Sequence, residues 1–364
     1  MQTAQGGSAQ TFHGMLAYVT VARPAIILFE NVEDIADPDS STGCSNLDVV
    51  LAEFSPRGYE CQQMTGNAAA YGVPQRRVRL YLVAVLVVAN SQFNFLQNSV
   101  CNTFRTLRAL LKVCARSPPC ASEVIYKASD HRVRNILQLR REARANSKPG
   151  NFSIGSAITT AGLNGVSWSS IQAPEVLKSS SWFPTLTLQQ KLTAAYSLCT
   201  DTTPVLFRDI SQSLSRVRTS TIGEDGEHSI FTVTPGQMVI VFKDGEEPHL
   251  LLGEESMLLQ GFPIAAVSDL VQKTPNSVMA DLAGNMVAVP VLLALLMSSV
   301  ACVHWRANDA DEEGQQQASS DESSESSSSG LDVATSVLAI LAQNDQTGSN
   351  TLGDTPVRKR VKFE

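Results

Sequence analysis

An α/β layered fold is what this 364-residue sequence predicts, on three observations. Short apolar or β-branched runs alternate with helical stretches through residues 1–90. The middle of the chain then loses that alternation, and after Trp305 the composition turns acidic and serine-rich. Taken in order, Phe12–Arg23 reads as a helix that Pro24 ends, because the residue before a proline is pushed out of the helical region. Ala25–Phe29 is wholly apolar, the pattern of a strand covered on both faces in a parallel sheet. Leu47–Phe54 is a helix closed by Ser55-Pro56-Arg57-Gly58, Tyr59–Met64 a second strand and Val78–Val88 a third. Strand, helix and strand at this spacing describe an α/β layer.

The middle is harder to read. Phe104–Cys114 and Arg132–Arg144 have helical patterns, while Asn146–Thr187 is rich in Gly, Ser, Pro and Trp. Ile230–Phe242 predicts a β-hairpin around Thr234-Pro235-Gly236, and Glu254–Gln260 a short helix before a turn at Gly261-Phe262-Pro263. Met286–Val303 is nearly all apolar and reaches the lower length limit of a spanning helix. Pro290 near its start and Ser298-Ser299 within it favour a buried core helix, so no membrane is expected. The last segment, Ser319–Ser329 above all, cannot bury a core and is expected to be disordered. Leu331–Ala342 has the pattern of a transient amphipathic helix. The terminal Pro356-Val357-Arg358-Lys359-Arg360-Val361-Lys362 has the make-up of a nuclear import signal, which predicts a nuclear protein.

Composition narrows the function classes. Hydrophobic residues make up 43% of the chain, an ordinary share for a globular protein. Seven cysteines without a Cys-x-x-Cys pair argue against a disulfide framework or a structural zinc site. The net charge of −7 resides in Ala307–Glu364, with 11 acidic and 4 basic residues, so Met1–Arg306 is neutral overall. Within that neutral body, Cys101–Gly150 carries 11 basic against 3 acidic residues, net +8. A basic block of this kind is the footprint of a phosphate-backbone reader, or of a solvated pair of amphipathic helices.

Four motifs carry the chemistry. Ile27-Leu28-Phe29-Glu30-Asn31-Val32 comes first, then Tyr71-Gly72-Val73-Pro74-Gln75-Arg76-Arg77-Val78-Arg79. Leu259-Gln260-Gly261-Phe262-Pro263 and Gly284-Asn285-Met286-Val287-Ala288-Val289-Pro290 follow. In this order they closely resemble the back half of a DNA cytosine-5 methyltransferase. The resemblance implies a partial Rossmann-like, S-adenosylmethionine-dependent methyltransferase fold with an inserted target-recognition region. It divides the chain into an incomplete catalytic core (1–90), a target-recognition-like region (91–245), a return to the core (246–306) and the tail (307–364).

The resemblance also implies roles. Cytosine C5 is a poor nucleophile; in this family a cysteine thiolate adds to C6, and the resulting enamine takes the methyl group of S-adenosylmethionine. Glu30 then corresponds to the carboxylate that holds or protonates the ring at N3. Arg77 and Arg79, two apart on a strand and so on one face, correspond to the pair that grips an extruded cytosine and a nearby phosphate, with Gln75 and Arg76 beside them on DNA. Asn285 and Met286 correspond to the close of the cofactor pocket, although the family commonly has serine after the asparagine. His249-Leu250-Leu251 occupies the stretch where members usually carry an arginine.

Only Met1–Phe29 precede Glu30, too few residues for the glycine motif and the Pro-Cys nucleophile that come first in the family. Ser117-Pro118-Pro119-Cys120 is a poor substitute: it follows the arginine motif, no apolar strand feeds it, and Ala121-Ser122 stands where the family has glutamine. The chain is therefore expected to be the rear part of a catalyst whose nucleophile lies elsewhere. Three arrangements satisfy that expectation: a fragment of an active enzyme, one half of a split enzyme completed by a second chain, or an inactive DNA-binding or regulatory relative. In each, Ala25–Phe29 is predicted to stand at an apolar sheet edge.

Overall fold

The structure, a computed structural model, describes residues 7–87, 93–95, 100–146, 159, 180–200, 206–213, 216–222, 228–243 and 245–305. The acidic serine run, Leu331–Ala342, the basic terminus and most of Asn146–Thr187 lie outside these residues. In chain order the elements are α1 (Gly7–Ala22), β1 (Ile26–Asn31), α2 (Asn46–Phe54), β2 (Tyr59–Asn67), β3 (Gln75–Arg76), β4 (Val78–Leu86), β5 (Phe93–Phe95) and α3 (Val100–Val113). They continue with α4 (Ala121–Val124), α5 (His131–Asn146), α6 (Leu188–Thr200), β6 (Phe207–Asp209), β7 (Thr221–Ile222), β8 (His228–Phe231) and β9 (Val239–Val241). The last are β10 (His249–Leu250), α7 (Gly253–Leu258), α8 (Ser268–Lys273), α9 (Asn276–Asn285), α10 (Val289–Ala301) and β11 (Val303–Trp305). They form two compact units: residues 1–66, 78–115 and 292–364, and residues 67–77 and 116–291.

The first unit is built on a three-stranded sheet in the order β1-β4-β2. Leu80 to Leu86 are all buried, as the continuous apolar run of β4 requires of a central strand. Phe12, Leu16 and Val19 of α1 and Leu47, Val50 and Phe54 of α2 complete one core with the sheet. Ser45 starts α2 through a capping box, its hydroxyl accepting from Asp48 N while the Asp48 carboxylate accepts from Ser45 N. The expected parallel pairing is corrected here. β1 and β4 are antiparallel, because β4 returns between β1 and β2 after the chain reverses beyond Asn67. Among the described strands β1 nevertheless stands at the edge of the sheet, as expected. A smaller antiparallel pair joins β5 to β11.

The second unit holds two short sheets, β3-β8-β7 and β10-β9-β6. The predicted hairpin is corrected: the turn exists, with Gly236 at φ +69°, but its arms β8 and β9 join different sheets. Both sides of β8 are taken, by β3 in parallel and by β7 in antiparallel register, so β9 pairs elsewhere. The helices α7 and α9 pack through glycine. A Cβ on Gly253 would lie 2.2 Å from Asn276 O, and one on Gly284 would lie 2.2 Å from Pro235 N.

The start of α5 is anchored by Arg132, whose guanidinium pairs with Asp130 and Glu254, each at 3.0 Å, and lies over the Tyr126 ring at 3.5 Å. Its hydrogen bonds hold the Asp130 carboxyl down at about 2. Glu255, fully buried, accepts from Tyr126 N at 2.8 Å and Leu252 N at 2.8 Å, and its Oε1 lies 3.1 Å from His249 Nε2. The stretch that departs from the family's usual arginine thus supplies a histidine to this carboxylate.

Among the described residues no single helix is long and apolar enough to cross a membrane; α9 and α10 pass together only as a pair bent by 44°. The expected buried core helix is buried in part only. Val291, Ala294, Leu295, Ser298 and Ser299 are buried, whereas Leu292, Leu293, Leu296, Met297 and Val300 are exposed.

Gly284→Ala drives a methyl group into the Pro235 backbone and should lower the unfolding free energy in urea by about 1–3 kcal/mol. Gly14→Ala, in α1 with nothing within 4 Å of the new Cβ, should instead match or slightly exceed the wild type. Because the folded-state pKa of Asp130 lies below its ordinary value of 3.8, its contribution is present above that value and lost as pH falls towards 2. Asp130→Asn should therefore flatten the acid limb of stability against pH across that window; an unchanged limb would contradict the anchoring role.

Candidate active site

Glu30 is the penultimate residue of β1, followed by Asn31 and then by Val32 outside the strand. The antiparallel register sets Glu30 opposite Tyr81, so Arg79, two residues before Tyr81 on β4, is its diagonal neighbour on the same face. Arg79 Nε stands 3.2 Å from Glu30 Oε1, and Arg79 Nη1 donates to Val78 O at 2.7 Å. Both side chains are mostly covered. The carboxylate is thus held in one orientation at the end of an edge strand.

The arginine motif does not present its two charges as one pair. Arg77 falls in the break between β3 and β4, so strand alternation does not govern it. It is buried, and Nη1 and Nη2 donate to Val233 O at 3.4 Å and Met286 O at 3.0 Å. Gln75, opposite Ile230 in the β3–β8 ladder, is fully buried. Arg76 is exposed, and its carbonyl accepts from the Thr232 hydroxyl at 2.9 Å.

The two later motifs meet in the second unit. Gln260 Nε2 donates to Ala283 O at 2.7 Å, and Gln260 O accepts from Val289 N at 3.0 Å. Gly261 adopts φ +72°, and a Cβ there would lie 2.6 Å from Pro290 and 3.7 Å from Val73. Only glycine permits both the left-handed turn and the approach of the proline. Arg77, Gln260 and Gly261 therefore gather three motifs around the segment Ala283–Pro290.

Asn285 ends α9, and Met286 N caps it by donating to Leu282 O at 2.9 Å. Both residues line a pocket of about 320 Å³ with Met257, Phe262, Leu270 and Leu282. Thr274 and Asn285 are the polar side chains of that lining, and no carboxylate belongs to it. S-adenosylmethionine carries a sulfonium, an ammonium and a carboxylate; these residues by themselves do not fit it. Cys120 precedes the four-residue helix α4, and its Sγ lies 3.1 Å from the Ser122 hydroxyl.

Sequence reasoning missed the carbonyl acceptors of Arg77 and the His249–Glu255 pair. The pair had a signal, since Glu255 sits three residues beyond Leu252 at a helix start; the carbonyls had none, being main-chain atoms.

Comparison with known proteins decides the family. The description of C-5 cytosine-specific DNA methylases matches residues 1–300. The chain belongs to that family. By that membership it is a methyltransferase of the cytosine C5 class. The solved structures similar to it include the Schizosaccharomyces pombe Dnmt2 methyltransferase, at 14% identity and TM-score 0.37, covering 81% of this chain and 74% of that one. The Entamoeba histolytica methyltransferase EhMeth aligns at 12% identity and TM-score 0.34, covering 81% and 72%. A Spodoptera frugiperda DNMT2 mutant aligns at 12% and 0.34, covering 79% and 71%. With TM-scores this low, the assignment rests on the family match. A search of curated proteins found no match.

Removing the Arg77 fork leaves two carbonyls without their charged donor in a buried place. Arg77→Met should lower stability by about 2–4 kcal/mol in urea titration, against no measurable change for the exposed Arg76→Ala. A variant that unfolds with the wild type would show that the fork does not hold this unit together.

Proposed function

We propose that this methyltransferase acts on cytosine in DNA, with S-adenosylmethionine as methyl donor, and that its share of the chemistry is the acid–base and positioning half. The observation that carries the reading is the Glu30–Arg79 contact at the end of β1. A carboxylate fixed by a guanidinium at 3.2 Å can accept a hydrogen bond from the exocyclic amine of cytosine and hold a proton at N3. Charge drawn towards N3 makes C6 more open to addition. Arg79 sets the direction of that carboxylate, and Arg77 acts from within the second unit as a positioning residue for the segment around Met286. In this reading the exposed Arg76 is the part of the motif that meets DNA, while Gln75, buried in the β3–β8 ladder, does not.

The thiolate and the glycine motif are supplied, in this reading, by a polypeptide segment outside these 364 residues, on the same or a second chain. The apolar character of the pocket beside Asn285 and Met286 supports this: it offers a wall for a cofactor and no charged partner. The open edge of β1 gives such a segment a strand to pair with. The basic cluster at the C-terminus supports a nuclear site of action in this reading.

The test is methyl incorporation into cytosine-containing duplex by the full chain together with a segment bearing the missing motifs. Glu30→Gln should slow methyl transfer about 10²–10⁴-fold while leaving DNA affinity nearly unchanged. Loss of affinity at unchanged turnover would remove Glu30 from the reaction, and transfer by the 364 residues alone would remove the need for the outside thiolate.

A further inference from the structure

The second unit contains a cleft of about 860 Å³ along α5, walled on the other side by Gly245–Pro248 and Ser181-Trp182. Its cations are Lys127, Arg134, Arg140 and Arg141, and its carboxylates are Glu246 and Glu247. The carboxylates are already engaged. Glu246 accepts from Ala128 N at 2.7 Å, and Glu247 accepts from Ser181 N and Oγ at 2.8 and 3.0 Å. His249, also in the lining, is held by Glu255. Arg141 donates to Ser181 O at 3.2 Å.

Arg140 is the exception. Val133, Leu137 and Arg140 stand at i, i+4 and i+7, so Arg140 continues the inward face of α5 where the helical period calls for an apolar residue. It is half-buried, and burial pulls its pKa below the ordinary guanidinium value. Among the described residues it has no carboxylate partner; its contact is the Met238 sulfur at 3.6 Å. A covered cation without a counter-charge is costly to keep, and an anion entering the cleft would relieve that cost. The floor beside it is apolar, formed by Val133, Leu137, Trp182 and Leu250. A rigid duplex presents its phosphates on a convex surface, which exposed side chains reach; a cation set back in a cleft is reached only by a strand that can bend inward.

We propose that this cleft holds one unpaired nucleotide of a nucleic-acid strand, the phosphate on Arg140 with Arg134 at the rim, and the base over the apolar floor. Such a grip combines charge with sequence-tolerant contact to the base. The choice of a polynucleotide as ligand rests on the methyltransferase reading, while binding itself needs neither cofactor nor thiolate.

The experiment measures fluorescence anisotropy of a short labelled single-stranded oligodeoxynucleotide on the full chain across a salt series. The same sequence as a blunt duplex and inorganic phosphate serve as competitors. The single strand should bind more tightly than the duplex, and phosphate alone should displace it poorly. Arg140→Met, which keeps the apolar stem and the fold, should weaken single-strand binding about tenfold and reduce the salt slope by about 0.7, one phosphate's worth. The exposed Arg134→Gln should move both readings the same way by less. Wild-type affinity and slope in Arg140→Met, equal binding of the duplex, or displacement by phosphate at the oligonucleotide's own concentration would each overturn the proposal. Failure of methyl transfer in the reconstituted enzyme, with cleft binding intact, would instead count against the methyltransferase reading alone.

Discussion

A buried guanidinium must find acceptors, and the arrangement of the second unit follows from where Arg77 finds them. Its two nitrogens reach the carbonyls of Val233 and Met286, which lie 156 and 209 residues away in sequence. That fork ties the segment after β8 to the turn between α9 and α10. Gln260 and Gly261 then close on the same turn from the other side, through Ala283, Val289 and Pro290. Motifs that look independent along the chain are thus parts of one packed arrangement. Substituting any of them disturbs the others.

The first unit obeys a different constraint, set by strand register. Because β1 and β4 are antiparallel with Glu30 opposite Tyr81, Glu30 and Arg79 meet diagonally on one face. A slip of one residue would send one of them to the other side of the sheet and part them. β4 is buried on both faces from Leu80 to Leu86, so its apolar run holds the strand within the sheet without choosing a register. In the register observed, the polar pair meets at the end of β1.

α5 shows the two uses of cations in this protein. Arg132 is satisfied by Asp130, Glu254 and the Tyr126 ring, and serves as an anchor. Arg140, two turns further on, occupies an inward position with no carboxylate to meet it among the described residues. The basic block that composition registers as one feature contains, in three dimensions, both a structural charge, Arg132, and a charge set inward without a carboxylate among the described residues, Arg140.

The sequence by itself determined the family, the alternation of strand and helix through Leu86, and the four motifs, because short apolar runs and glycine turns are dictated locally. It also placed the end of α1 and the whole of α2, α5 and α7 closely, since helix ends are written in caps and prolines; α1 itself begins earlier than read, at Gly7. Strand direction, the partition of β8 and β9 into separate sheets and the parting of Arg77 from Arg79 were decided only by tertiary structure. Each depends on which neighbour fills a strand edge or accepts a hydrogen bond. Those neighbours are often main-chain carbonyls, which every residue carries and no sequence pattern distinguishes.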